Sequence, residues 1–326
     1  MVRKIDWESQ IGRRLKLRDL HVFMTIVQRG SMAKAAEHMG VSQPAVSEII
    51  ANLEHALGVR LLDRGPQGVT PTMFGREMIE RSRAAFDELK QGITTIEALA
   101  DPTVGAVRIG CSESLMSAIL APVIDRFSRE YPRVRLHVQN TNTATLDIPD
   151  LRERTLDLVL VRPVKTHAND EDMNVEALFD DEMVVAVGKT HRLAHRRNVS
   201  LEEILDEPWI LTAPGTWNYT TIANALQAQG FDMPPICLTT FSLNLRIDLL
   251  ATGRFISAFP RAAMSGNNDH SPLKILPVNL PAKPWPVEIL TLKNRTLNPA
   301  AQRFIEDVRA FVRTRSAGLI VDKTFA

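Results

Sequence analysis

Ser31 to Glu54 run SMAKAAEHMGVSQPAVSEIIANLE. The stretch spells a short helix, a tight turn and a second helix. Ser31 is placed to cap the first helix and Ser42 the second, each side-chain oxygen accepting an orphan backbone N–H. Gly40 falls between them, where a turn favours a residue without a Cβ. Pro44 sits in the first turn of the second helix, which tolerates it. Ala36, Gly40, Val46 and Ile49 stand at offsets of four, six and three. Two helices crossing closely need that order: a small residue at the crossing, a turn glycine, then apolar contacts on the second helix. A helix-turn-helix of this kind places its second helix in the DNA major groove. The plainer reading is a helical hairpin with a solvated polar face.

Working outward, the second helix divides by face. Val46, Ile49, Ile50 and Leu53 form an apolar stripe at helical spacing, and Gln43, Ser47, Glu48 and Asn52 fall opposite. Gln can bond adenine bidentately, and Ser can bond a base edge or a phosphate. Upstream, Leu20, Phe23, Met24 and Val27 share one face of a helix that closes the small core. Downstream, residues 57–75 (LGVRLLDRGPQGVTPTMFG) give two short extended runs around Gly65, Pro66, Gln67 and Gly68. That is a small wing, with Arg64 able to meet a phosphate, and Thr72 caps a long helix after it. With these residues in view the segment resembles the N-terminal domain of the LysR-type transcriptional regulators. The matching residues are Ala35, Ala36, Ser42 to Ser47, Leu53, Glu54, Leu57 to Val59, Leu61, Leu62, Arg64, Thr72 and Gly75, over about 60 residues without a gap. Two positions depart from the family: Glu48 stands where Arg or Lys is frequent, and Gln67 occupies a wing tip that is often basic. A carboxylate repels phosphate but can accept from cytosine N4. Candidate DNA contacts are Ser31, Ser42, Gln43, Pro44, Ser47, Glu48, Asn52, Arg64 and Thr72.

The 326 residues suit two or three domains, and the formal net charge is only +1. Residues 1–76 hold 11 Lys+Arg against 7 Asp+Glu, a modest positive bias, while the rest is net −3. Cys111 and Cys237 give neither a disulfide framework nor a zinc cluster. No signal peptide or membrane span is evident, so a cytoplasmic location is expected. Residues 1–16 read as a basic N-terminal arm or a plain tail.

From residue 73 to about 100 the chain reads as one helix. Ile79, Phe86, Ile93 and Ala100 recur every seven residues, with Ser82, Leu89 and Ile96 as a second row. This seam suits pairing of two chains more than packing on its own domain. Asp101-Pro102 breaks the helix, and Thr103, Val104 and Gly105 are expected as a hinge. Strands and helices then alternate: strands at 107–110, 134–138 and 158–161 with helices near 115–130 and 144–154 between them. A second unit opens at Met183–Gly188, with strands near 209–211, 236–238 and 255–257 and helices near 219–229 and 243–252. The chain returns to the first unit at 285–292 and closes with a helix over about 299–313. Two α/β lobes joined by two crossings resemble the type 2 periplasmic-binding-protein fold of the LysR effector domain. The landmarks are Leu156 to Leu158, Glu182 to Val185, Leu250 to Gly253 and Phe259-Pro260. The expected fold is thus α+β and multidomain: an all-α winged helix-turn-helix domain (17–75), a linker helix and hinge (76–105), and an effector-binding domain (106–316). Within that domain lobe I spans 106–181 and 279–316, lobe II spans 182–278, and residues 317–326 form a tail.

Ligands of open α/β folds bind beyond the carboxyl ends of the strands. The loops there offer Ser112, Thr141, Asn142, Thr143, Arg162, Thr212, Thr216, Phe241 and Ser242. Hydroxyls at helix N-termini favour anions, although each alone is as readily a helix cap. The family resemblance implies Ser112, Thr141, Thr143, Thr212 and Ser242 as effector contacts. Arg162 either holds a carboxylate or pairs with a structural acid. Trp217 and Tyr219 either stack on a ligand or pack, and Cys111 beside the cleft raises a redox role that lacks a nearby partner. His191 and His195 stand four apart without a matching metal motif. The acidic run Asp170 to Asp172 reads as a solvated loop. No GxGxxG, Walker or GxSxG motif appears.

The resemblance implies a transcriptional regulator, not an enzyme, needing no cofactor beyond a small-molecule co-inducer. Its expected partners are double-stranded operator DNA, a second copy or three more copies of itself, and an anionic or polyhydroxylated effector, with RNA polymerase a candidate and no membrane. The rival is an architectural DNA-binding protein whose lobes serve only oligomerisation, which predicts a filled or collapsed cleft.

Overall fold

The computed structural model describes residues 15–65, 68–101, 103–141, 148–162, 170–264 and 271–322. The chain divides into two units, Met1–Gly92 and Ile93–Ala326.

The first unit holds α1 (Leu17–Arg29), α2 (Met32–Met39), α3 (Gln43–Leu57), the hairpin β1 (Leu62–Gly65) and β2 (Gly68–Pro71), and most of α4 (Met73–Ala100). Leu20, Phe23 and Ile26 of α1, Ala35 and Ala36 of α2, and Val46, Ile50 and Leu53 of α3 bury together. The turn works as the spacing predicts: Gly40 takes φ 65°, a conformation that costs glycine little. Ser31 stands at the N-cap but its hydroxyl makes no capping bond. Glu54 braces the wing. Its Oε1 accepts from Leu61 N (2.8 Å) and Leu62 N (3.1 Å), tying the end of α3 to β1. Gly75 is demanded by a close approach, since a Cβ there would collide with the Leu61 carbonyl oxygen.

Two parts of the α4 seam behave differently. Ile79 and Phe86 pack on the core of the first unit, with Phe86 edge-on to His21. Leu89, Ile93, Ile96 and also Leu99 are exposed. The seam expected as one continuous interface therefore has its upper half covered by its own domain. The expected hinge is corrected too: Val104 and Gly105 already belong to β3 and pair with Arg133 and Val134. The break itself is held by Asp101, whose Oδ1 accepts from Thr103 N (3.1 Å) and Oγ1 (2.6 Å). Pro102 lies outside the described residues.

The second unit has two five-stranded sheets. In the first lobe the order is β4-β3-β5-β12-β6. Strands β3 (Val104–Cys111), β4 (Arg133–Asn140) and β5 (Leu158–Val161) run parallel. Strands β6 (Met173–Asp181) and β12 (Trp285–Leu292) complete it in antiparallel pairs. Every residue of β5 is buried: Leu158 and Leu160 meet one core with Phe127 and Phe304, Val159 and Val161 another with Leu151 and Leu290. A strand covered on both faces is the reason for the unbroken apolar run LVLV. Helix α5 (Glu113–Leu115), a π-turn (Met116–Leu120) and α6 (Ala121–Glu130) follow β3, α7 (Pro149–Arg152) precedes β5, and α12 (Pro299–Asp322) closes the lobe.

The second lobe is ordered β11-β7-β10-β8-β9. Its strands are β7 (Met183–Gly188), β8 (Trp209–Leu211), β9 (Ile236–Thr239), β10 (Ile256–Pro260) and β11 (Leu273–Ile275), with α8 (Leu201–Leu205), α9 (Trp217–Gln227), α10 (Leu243–Ala251) and α11 (Arg261–Met264) around them. The helix expected over 144–154 is, among the described residues, only the four of α7: Pro149 starts it and Arg154 at φ 61° ends it. Strands β6 and β11 and helix α8 were not legible; β6 is half exposed and lacks a clean alternation. Asp172, expected in a solvated loop, is bound by Arg152 Nε at 2.8 Å. No helix among the described residues is long and apolar enough to cross a membrane.

Candidate functional site

In the first unit the candidate DNA-facing surface follows from how α3 is held. Ser42 caps it, accepting from Ala45 N at 3.4 Å, and Pro44 occupies the first turn. Val46, Ile50 and Leu53 are buried and Ile49 half-buried, which turns Gln43, Pro44, Glu48 and Asn52 to solvent. Ser47 is half-buried, with Arg64 Nη1 3.5 Å from its hydroxyl, so β1 brings a guanidinium beside the polar face of α3. Thr72 is committed elsewhere: its hydroxyl donates to Arg60 O (2.8 Å) and accepts from Gly75 N (3.0 Å), a cap for α4. Pro66 and Gln67 lie outside the described residues.

In the second unit the loops after β3, β4, β5, β8 and β9 converge on one cavity of about 320 Å³, a size suited to a small metabolite. Of the expected effector residues, Ser112, Thr141, Arg162, Thr212, Thr216 and Phe241 line it. Ser242 does not; its hydroxyl caps α10 by accepting from Leu245 N at 3.2 Å. Asn142 and Thr143 lie outside the described residues.

The lining hydroxyls are not equivalent. Thr212 and Thr216 bond each other at 2.6 Å, and Thr216 caps α9 through Tyr219 N. Ser112 has only a long contact with Ser114 (3.5 Å). Thr141 Oγ1 is buried without a hydrogen-bond partner. Arg162 takes the structural alternative: Nη2 meets Asp181 Oδ2 at 2.5 Å and Nη1 donates to Ser114 Oγ at 2.8 Å. Its Nε is left unpartnered, and burial pushes its pKa down against the opposing pull of Asp181. Trp217 packs edge-on to Trp285 (centroids 5.8 Å apart) beneath Arg162, with Nε1 unpartnered. Tyr219 packs against the same core.

Glu113, which the sequence places in the loop after the first strand without a role, and Arg246, which sequence reasoning missed, also line the cavity. Arg246 is 3% exposed. Its Nη1 has only neutral acceptors, Ala258 O (3.2 Å) and Ser257 Oγ (3.5 Å), and its plane lies over Phe259. Its Nε is unpartnered, and burial lowers its pKa to about 10. A signal was present: Arg246 falls three residues after Leu243 and four before Leu250, a cation on the buried face of an apolar helix. Thus three buried N–H donors and one hydroxyl without partners belong to residues around one cavity. Burying a donor unpaired is costly; these atoms sit within the cavity wall rather than on its open surface.

Cys111 has no redox geometry. It is buried, and desolvation raises its pKa to about 12; Cys237 is exposed on β9, in the other lobe. His191 is buried 3.4 Å from Glu207. Among the described residues no cluster of three His, Cys, Asp or Glu side chains could hold a metal.

Comparison with known proteins agrees with both units. Residues 17–76 match the model of the bacterial regulatory helix-turn-helix protein, lysR family, and residues 100–313 match the LysR substrate binding domain. The transcriptional dual regulator GltC of Bacillus subtilis is 30% identical over 297 residues, 91% of this chain and 97% of GltC. Full-length OxyR from Pseudomonas aeruginosa shares the fold with a TM-score of 0.63 at 20% identity, over 92% of this chain and 95% of that one. Full-length CbnR complexed with its target DNA does so at 0.53 and 19% identity, over 91% and 100%. The chain belongs to the LysR family of helix-turn-helix transcriptional regulators, with a substrate-binding domain for a small-molecule effector.

Proposed function

We propose that the cavity between the lobes takes a small anionic or polyhydroxylated metabolite, and that its occupancy alters how the protein holds operator DNA. The supporting observation is a cavity wall that holds two buried guanidiniums, Arg162 and the acid-free Arg246, beside the nearly unengaged Ser112 hydroxyl. An architectural protein with an idle domain has no reason to keep an open cavity with a buried, acid-free guanidinium in its wall. An anion complements that charge; an amine or a hydrocarbon does not. Such coupling requires only that the effector bind one arrangement of the protein better than another.

On the DNA side, Gln43 and Ser47 read base edges in the major groove, with Glu48 and Asn52 beside them and Arg64 on a phosphate. The comparison protein CbnR was solved on its target DNA, which supports the same use of this unit. The exposed row Leu89, Ile93, Ile96 and Leu99 pairs α4 with a second copy, giving a dimer or tetramer in the cytoplasm.

A melting screen of the full chain against carboxylates, sugar acids, amines and neutral aromatics tests the effector class. Ligand at about 100 times Kd adds about 2.7 kcal/mol. Stabilisation confined to acids supports the reading, and stabilisation by amines or hydrocarbons alone overturns it.

A further inference from the structure

The first amide of α10, Leu243 N, is one of the donors a helix leaves without an internal partner. It is not idle here. Glu113 Oε2 accepts from it at 3.1 Å, from α5 of the other lobe and 130 residues earlier in the chain. Both residues line the cavity together with Arg246, one turn further along α10. Arg246 has no acid within ion-pair distance among the described residues, and the carboxylate that acts on it electrostatically is that of Glu113. A carboxylate therefore lies over a helix N-terminus and toward a buried guanidinium that no acid pairs within ion-pair distance among the described residues. Those are the parts from which a ligand-carboxylate site is made.

We propose that the start of α10 and Arg246 form the carboxylate subsite of the cavity, and that Glu113 fills it as an internal stand-in which an anionic effector must displace. The proposal rests on the anionic reading of the cavity given above. The displaced bond joins the two lobes. Effector entry thus exchanges a lobe-to-lobe contact for lobe-to-ligand contacts, and effector affinity is reduced by the fraction of molecules in which Glu113 sits in place. Glu113 sets the concentration at which the protein responds.

Sodium sulfate is a suitable probe, titrated calorimetrically into the full chain at fixed ionic strength. Glu113→Ala should bind it roughly tenfold more tightly than the wild type, the factor a charge-assisted hydrogen bond carries. Glu113→Gln, which keeps the shape and loses the charge, should also bind more tightly, and adding Arg246→Met to Glu113→Ala should remove the binding. Equal or weaker binding in Glu113→Ala and Glu113→Gln, with loss in Arg246→Met, overturns the stand-in while the anionic cavity survives. Binding that persists in Arg246→Met overturns the subsite. No sulfate binding in any variant overturns both the stand-in and the anionic reading.

Discussion

The polar face of α3, proposed to meet DNA, and the cavity between the lobes, proposed to meet an effector, treat their polar groups in opposite ways. Gln43, Glu48 and Asn52 are exposed, so their polar groups are open to water. Arg246, Arg162, Trp217 and Thr141 are buried with atoms that nothing satisfies. The first surface rests at no cost when free and gains modestly per contact. The second carries the cost of unpaired burial inside its wall. The two arginines of the cavity repeat the contrast: Arg162 is neutralised by Asp181, while Arg246 faces neutral acceptors and Glu113 across the cleft.

The largest effect is expected on assembly. Ile93→Asp with Ile96→Asp places charges in the exposed row of α4 and should yield monomers by light scattering, with loss of tight operator binding. A double variant that remains dimeric moves the interface elsewhere. Phe86 is unsuitable for this test because it packs on its own core. Arg246→Met should weaken binding of an anionic effector about 10- to 100-fold, the ~1.5–3 kcal/mol of a hydrogen bond to a charged group. Because the guanidinium is buried without an acid, the free protein's melting temperature should stay level or rise. A large fall in melting temperature would make Arg246 structural. Gln43→Ala should cost ~1–3 kcal/mol on operator DNA and much less on random DNA; equal losses would remove Gln43 from base reading. Ser112→Ala should weaken effector binding by ~0.5–1.5 kcal/mol without changing operator affinity, whereas Thr212→Ala should act mainly through stability, since its hydroxyl is bonded to Thr216. The smallest effect concerns Cys111. Burial raises its pKa to about 12, so at about pH 8 it stays a thiol and alkylation of the native protein should mark the exposed Cys237 alone. Modification of both would break the account of a sealed β3 end.

The same contrast explains what the sequence revealed. The first unit is made of local spacings: Ala36, Gly40, Pro44 and Val46 lie within one helix pair, so their meaning survives without coordinates. The strands 158–161, 183–188 and 209–211 were legible because buried runs announce themselves. The cavity was legible only as loops carrying hydroxyls. Whether a hydroxyl is free depends on partners: Ser112 is nearly unengaged, while Thr216 and Ser242 are spent on caps. Glu113 and Leu243 meet across 130 residues, a distance no periodicity encodes. Strands β6 and β11 hid for a related reason: β6 is half exposed without regular alternation, and β11 has only three residues, too few to set a period.

The measurement that bears most directly on the central claim is an operator footprint recorded with and without a stabilising acid found by the melting screen, for the wild type and for Arg246→Met. The account predicts a footprint in all four samples, altered by the acid in the wild type and unaltered in the variant. A wild-type footprint that the acid leaves unchanged, or a variant that responds as the wild type does, would contradict it.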